Sequence, residues 1–181
     1  MNKIINIGRQ FGSGGKLVAV EVGRKLGIRV YDNELITKAA EESGFSKEFF
    51  VRSDERRSIF NLSSFFGSGR FGSPRNYVGD NELFKIQSDV IRKIASKESA
   101  VFVGRCANYI LRDLTCLDVF IVAPLDDRAA RVAERQTISL EAARGLVEKQ
   151  DRVRQTYYNF FTFGHWGAAS DYDLCLDSSL L

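Results

Sequence analysis

At 181 residues the chain has the length of one domain, enough to bury a single core. Hydrophobic residues at 44%, charged residues at 27% and a mean hydropathy of -0.17, without any apolar run of bilayer length, exclude a membrane-spanning helix and predict a soluble globular protein. A net charge of +3 is too small to single out nucleic acid as a partner, and Cys106, Cys116 and Cys175 lack the C-x-x-C spacing of a zinc site or the even count of a disulfide framework.

In chain order, Lys3 to Gly8 is a short β-rich run, and its apolar stretch is too brief for an export leader, so a reducing cytoplasm is expected. Gly12-Ser13-Gly14-Gly15 follows, then a helix over Lys16 to Leu26 that Gly27 is placed to end. Arg29-Val30-Tyr31 reads as a very short second strand, and Glu34 to Ser43 as a helix closed by Gly44. Residues 58–80, rich in Ser, Gly and Phe, neither alternate nor repeat helically, and are expected to form a flexible insertion. A helix is predicted from Glu82 to Ser96 on the stripe of Leu83, Ile86, Val90, Ile91 and Ile94. Ala100–Val103 and Val119–Val122 are continuous apolar runs, the mark of strands buried on both faces. A charged helix over Asp126 to Gln136 precedes a longer one capped by Ser139 and running to about Phe161; Asp171 to Leu176 reads as the last strand. Strand and helix alternate, so the class is α/β with a parallel sheet in one domain over residues 1–181.

Gly8, Gly12, Gly14 and Gly15 with Ser13 and Lys16 lie between a strand and a helix start, where backbone N–H groups and the helix dipole hold phosphate; a turn serving only close packing is the alternative. The sequence departs from G-x-x-x-x-G-K-[ST], since Gln10 stands six residues before Lys16 and Leu17 follows it, so Ser13 or water would have to take the place of the magnesium-binding hydroxyl. Arg105 follows the third strand at the carboxyl edge of the sheet, where a guanidinium can fork onto phosphate or form a surface ion pair. Arg128, Arg131 and Arg135 share one helix face and, with Arg152 and Arg154, suit either a lid closing on phosphate or a solvated helix. Cys106 reads as a buried thiol, and His165 is given no chemistry. A basic and aromatic patch of Arg52, Arg56, Arg57, Arg70 and Arg75 is diluted by Asp54, Glu55 and Asp80, so nucleic-acid binding is not expected.

Gly12-Ser13-Gly14-Gly15-Lys16, Tyr31-Asp32-Asn33-Glu34-Leu35-Ile36, Val101-Phe102-Val103-Gly104-Arg105 and Tyr157-Tyr158-Asn159-Phe160-Phe161-Thr162 together resemble the cytidylate kinase-like family of P-loop proteins. The resemblance implies a three-layer P-loop fold, with a five-stranded parallel sheet flanked by helices, a monophosphate-binding insertion and a helical lid over residues 126–163. It implies an ATP-dependent phosphotransferase acting with Mg2+ on a nucleoside monophosphate such as CMP; a nucleotide-binding module that has lost turnover is the alternative reading. On that resemblance Gly12, Ser13, Gly14, Gly15, Lys16 and Leu17 hold the donor, Ser13 meets the metal, and Lys16, Arg131, Arg135 and Arg154 act on the transferring group. Asp32, Lys38, Arg105, Asp151 and Arg154 face the acceptor. Cys106 stands where relatives carry aspartate after Gly-Arg, and Val147 where the lid would carry arginine. The family usually adds a helix after the last strand, so a shortened C-terminus is expected.

Overall fold

The computed structural model describes residues 2–42 and 77–180. β1 (Ile4–Arg9) leads through the glycine loop into α1 (Gly15–Leu26), β2 (Arg29–Tyr31) and α2 (Asn33–Glu42). α3 (Tyr77–Lys97), β3 (Ala100–Val103), the single turn α4 (Ala107–Ile110) and β4 (Leu117–Val122) follow. α5 (Leu125–Gln136), the long α6 (Leu140–Thr162), a 3-10 turn at Ala169–Asp171 and β5 (Leu174–Asp177) complete the described part of the chain. All five strands are parallel, in the order β2-β3-β1-β4-β5. β3 and β4 flank β1: the chain builds β2 and β3 on one side of it and then crosses to β4 and β5 on the other, so a crevice opens beyond the carboxyl end of β1, where the strand order reverses and α/β sheets bind ligands.

The apolar runs explain why the sheet sits where it does. In β3, Ala100 and Phe102 face Tyr31, Ile36, Ile91 and Phe161, while Val101 and Val103 face Ile7, Ala19 and Ile121 on the other side. Both faces are therefore covered by helices, as a continuous apolar strand requires. A third cluster, Ala129, Val132, Ala143 and Val147, locks α5 to α6. Gly23 lets α1 lie against β2: a Cβ there would stand 2.4 Å from Val30 Cγ2. Ser139 caps α6 by accepting the Ala142 N–H at 3.2 Å.

Several boundaries shift from those the sequence suggests. α1 begins at Gly15, α2 at Asn33 and β4 at Leu117, whose partner Ile5 extends the parallel ladder with β1. β5 begins only at Leu174, because Ala169–Asp171 coil into the 3-10 turn and the Asp173 N–H is spent on the Asp118 carbonyl at 2.8 Å. α3 begins at Tyr77, which takes the end of the expected 58–80 insertion into a helix; residues 58–76 and the basic patch from Arg52 to Arg75 lie outside the described residues. Among the described residues no helix is long and apolar enough to cross a membrane.

Phe102 is fully buried and stacks on Tyr31 with ring centroids 5.7 Å apart. Phe102→Ala is expected to cost about 3 to 5 kcal/mol through lost transfer energy and the cavity it leaves. Urea unfolding followed by circular dichroism checks this, and a loss under about 1 kcal/mol would contradict the central placement of β3.

Candidate functional site

The loop from β1 to α1 turns on two glycines in the left-handed region, Gly12 at φ 80 and Gly14 at φ 75. Gly12 also permits contact with α5: a Cβ there would lie 2.8 Å from the Arg128 carbonyl oxygen. Gly14 is the N-cap of α1 and brings no side-chain cap, which leaves first-turn N–H groups for an anion. Ser13 departs from expectation. It is fully buried and its hydroxyl donates inward to the Gln10 carbonyl at 2.9 Å, so it shapes the loop and does not present a magnesium ligand. Leu17 also brings no polar group: its side chain is 75% exposed and its N–H is bonded to the Gly14 carbonyl at 2.8 Å. Among the described residues no group of three His, Cys, Asp or Glu side chains gathers around a metal position. No side chain is assigned to Mg2+.

Lys16 projects from the first turn of α1 and its Nζ lies 2.7 Å from Asp32 Oδ2. Asp32 also accepts the Leu35 N–H at 3.1 Å, at the start of α2. Burial pushes the Asp32 carboxyl up, but Lys16 and the backbone N–H groups of Leu35 and Glu34 together hold it below its usual range. Asp32, expected at the acceptor, is thus bound to the lysine of the loop.

The arginines of α5 divide. Arg128 turns inward: Nη1 is 2.5 Å from Asp151 Oδ2 and 3.2 Å from the Phe11 carbonyl, and Nε donates to the Ala123 carbonyl at 2.9 Å. Asp151 spends its other oxygen on the Phe11 N–H at 2.7 Å. With both oxygens committed to protein groups, Asp151 is a strut between α6 and the loop, which corrects its expected place at the acceptor. Arg131 reaches the rim of the glycine loop, donating to the Ser178 hydroxyl at 3.2 Å and carbonyl at 2.7 Å, while that hydroxyl donates to the Ser13 carbonyl at 2.6 Å. The exposed Arg135 and the more enclosed Arg154 both lie against the Phe11 ring, at 5.8 and 5.2 Å from its centroid.

Beyond the ends of β1 and β3 lies a cavity of about 300 Å³, roofed by α6. Arg9, Arg105 and Arg154 enter it from β1, from the turn after β3 and from α6; Tyr157, Tyr158 and Trp166 supply aromatic wall. Gly104, Arg105 and Cys106 are three successive left-handed residues, at φ 75, 57 and 55, and that turn is what carries the buried Arg105 into the cavity. The Arg105 guanidinium sits 5.6 Å from the centre of the Tyr157 ring. Burial, partly opposed by Arg105, pushes the Cys106 thiol up to about 12, so it stays protonated and inert, as a buried thiol should. Burial also brings Arg154 down to about 10, with Asp151 opposing and Arg105 adding to the shift. Lys38 is exposed on α2 and His165 lies on the surface; neither lines the cavity.

Arg9 is the functional candidate that sequence reasoning missed. It ends β1 at the carboxyl edge of the sheet, the same position that drew attention to Arg105. That strand-end position was the available signal.

A glycine loop at a helix N-terminus, an arginine-lined cavity on the same sheet edge and this strand order define a P-loop kinase of the nucleotide-kinase class. The chain belongs to the cytidylate kinase-like family, which matches residues 4–180. It is similar to the cytidylate kinase of Methanopyrus kandleri, 27% identical over 187 residues that cover 97% of this chain and 84% of that protein. Among solved structures, an uncharacterized protein from Eubacterium ventriosum is similar at TM-score 0.73 and 30% identity, over 97% of this chain and 88% of the other. Shikimate kinase from Bacteroides thetaiotaomicron, at TM-score 0.52 and 15% identity over 97% of this chain and 86% of that one, shares the fold.

Asp151→Ala leaves the Arg128 guanidinium enclosed without its counter-charge and the Phe11 N–H without its acceptor. A destabilisation of about 3 to 5 kcal/mol is expected. Thermal and urea unfolding check it; an unchanged stability with a raised acceptor KM would instead mark Asp151 as a substrate contact.

Proposed function

We propose that this protein transfers the γ-phosphoryl group of ATP to a nucleoside monophosphate, with CMP as the first acceptor to test. The observation that carries the reading is the juxtaposition, on one sheet edge, of a glycine loop capping α1 with a cavity into which three arginines point. The loop N–H groups from Gly12 to Gly15 and the Lys16 ammonium would hold the donor phosphates, with Lys16 exchanging Asp32 for phosphate. Arg105 would fork onto the acceptor phosphate. Arg131 and Arg135, at the loop rim, and Arg154, between loop and cavity, would spread over the charge of the transferring group. Mg2+ would enter with ATP, held by its phosphate oxygens.

An acceptor phosphate is already ionised at neutral pH, so no general base is needed. What the protein supplies is positioning, charge neutralisation and exclusion of water. The pair α5 and α6, within residues 126–163, would act as the lid of a single domain over residues 1–181. The reading also places the protein in the cytoplasm, in keeping with its three free cysteines, and gives it nucleotides as partners, with neither membrane nor nucleic acid required.

ADP release coupled to a dye-linked readout, run against a panel of nucleoside monophosphates, tests the activity directly. Turnover with one monophosphate well above the rest is expected; no turnover with any of them, despite ATP binding, would leave a nucleotide-binding module. Arg105→Lys keeps the charge and loses the fork, so the acceptor KM should rise while ATP affinity stays near wild type. The loss should be about 2 to 3 kcal/mol, or roughly thirty- to over a hundredfold in kcat/KM. Lys16→Ala should weaken ATP binding measured by calorimetry, and unchanged affinity would remove Lys16 from the donor site.

A further inference from the structure

Arg9 has a path made for it by two glycines. Its stem crosses Gly15 at the head of α1, where an added Cβ would stand 2.6 Å from Arg9 Cβ and 3.1 Å from Cγ. Its head lies against Gly104, where an added Cβ would stand 2.0 Å from Nη1, 3.0 Å from Cζ and 3.4 Å from Nη2. The 2.6 and 2.0 Å approaches are closer than real carbon contacts, so no side chain larger than hydrogen fits at either place while Arg9 keeps this course. Arg9 reaches the same cavity as Arg105 and Arg154, and Arg154 is fixed to it by donating to the Arg9 carbonyl at 3.0 Å.

Among the described residues no carboxylate lies within ion-pair distance of Arg9. Burial pushes its guanidinium well below the ordinary range, and Arg154 and Arg105 push it further; Asp32 alone works the other way. Glu34 lines the same cavity without an ion pair to Arg9, so a partly buried arginine kept beside two others, with no carboxylate bound to it, is the arrangement expected where the missing negative charge arrives with a ligand.

We propose that Arg9 is a substrate-binding residue: with Arg105 and Arg154 it forms a three-guanidinium clamp for the dianionic phosphate of a phosphomonoester acceptor, and the missing side chains of Gly15 and Gly104 leave room for its present course. The proposal rests on the reading of this cavity as the acceptor site. It narrows the acceptor class, because three converging guanidiniums match a doubly charged phosphate better than the single carboxylate or neutral hydroxyl of other small acceptors. Arg9 also sits where the two halves of the reaction meet, its stem on the donor loop and its head at the acceptor cavity.

The test measures binding by calorimetry, with inorganic phosphate and CMP as acceptor-side probes and ATP as the donor-side probe. The variants are Arg9→Ala, Arg9→Lys, Gly104→Ala, Arg105→Lys and the double Arg9→Ala/Gly104→Ala, each checked for folding by circular dichroism. Arg9→Ala should weaken phosphate and CMP binding at least tenfold and leave ATP within about threefold, and millimolar guanidinium should recover part of the loss. Gly104→Ala displaces the Arg9 head and also strains the left-handed turn that carries Arg105, so it should weaken phosphate and CMP binding at least as much as Arg9→Ala, the excess in the double variant reading the strained turn. If Arg9→Ala does not fold, Arg9→Lys decides by the same measurement. Wild-type phosphate and CMP affinity in the Arg9 and Gly104 variants, with Arg105→Lys still impaired, would overturn the role of Arg9 and keep the acceptor site. Wild-type affinity in all of them, Arg105→Lys included, would overturn the site itself.

Discussion

Asp151 holds together parts of the chain that are distant in sequence. One oxygen takes the Phe11 N–H of the glycine loop and the other the Arg128 guanidinium of α5, which in turn grips the Phe11 and Ala123 carbonyls. That ion pair therefore joins the loop and the strand exit to α5 and α6, which the apolar cluster between them also holds together. Each partner is largely shielded from water, so their attraction is stronger than that of a surface pair and so is the penalty for parting them. The loop conformation depends on this strut, since two of its residues are in left-handed geometry and its hydroxyl is turned inward.

The other side of the site carries the opposite balance. Arg9, Arg105 and Arg154 converge on a cavity whose lining includes one acidic residue, Glu34, and the turn that delivers Arg105 places two non-glycine residues in left-handed backbone. Strain and like charge concentrated at one point are destabilising, by about 1 to 3 kcal/mol for each strained residue. The core on both sheet faces is what tolerates them: Phe102 and Val103 precede the turn directly and are buried against opposite helix layers. Stability made by the strands is spent where the ligand would sit.

Much of this was legible in the residues themselves. Four-residue apolar runs bounded by polar ones marked β3 and β4 because two-sided burial leaves no room for alternation, and Ser139 marked the start of α6 because a hydroxyl there satisfies an orphan N–H. Arg105 was legible from its strand-end position. Arg9 shared that position, yet its meaning depends on Gly104, more than ninety residues away, which meets it only because β3 lies beside β1 in the sheet. Asp151 and Arg154 carried the right spacing for an acceptor pair, but spacing does not tell which way a carboxylate points, and here Arg128 captures it. Ser13 failed for a similar local reason: the tight turn brings the Gln10 carbonyl within its reach, and a buried hydroxyl takes the nearest acceptor. The late start of β5 followed from a 3-10 turn that no periodicity announces.

The contact between Lys16 and Asp32 makes the loop sensitive to protons. The ammonium is one of the groups that keep the Asp32 carboxylate charged against its burial. An anion at the loop that draws Lys16 toward itself withdraws that support while the desolvation stays, so the carboxyl pKa climbs and the site takes up protons as it fills. Linkage runs both ways: protonating Asp32 releases the ammonium and tightens anion capture. A single lysine shared between a carboxylate and an incoming phosphate would thereby turn anion binding and proton uptake into one coupled equilibrium.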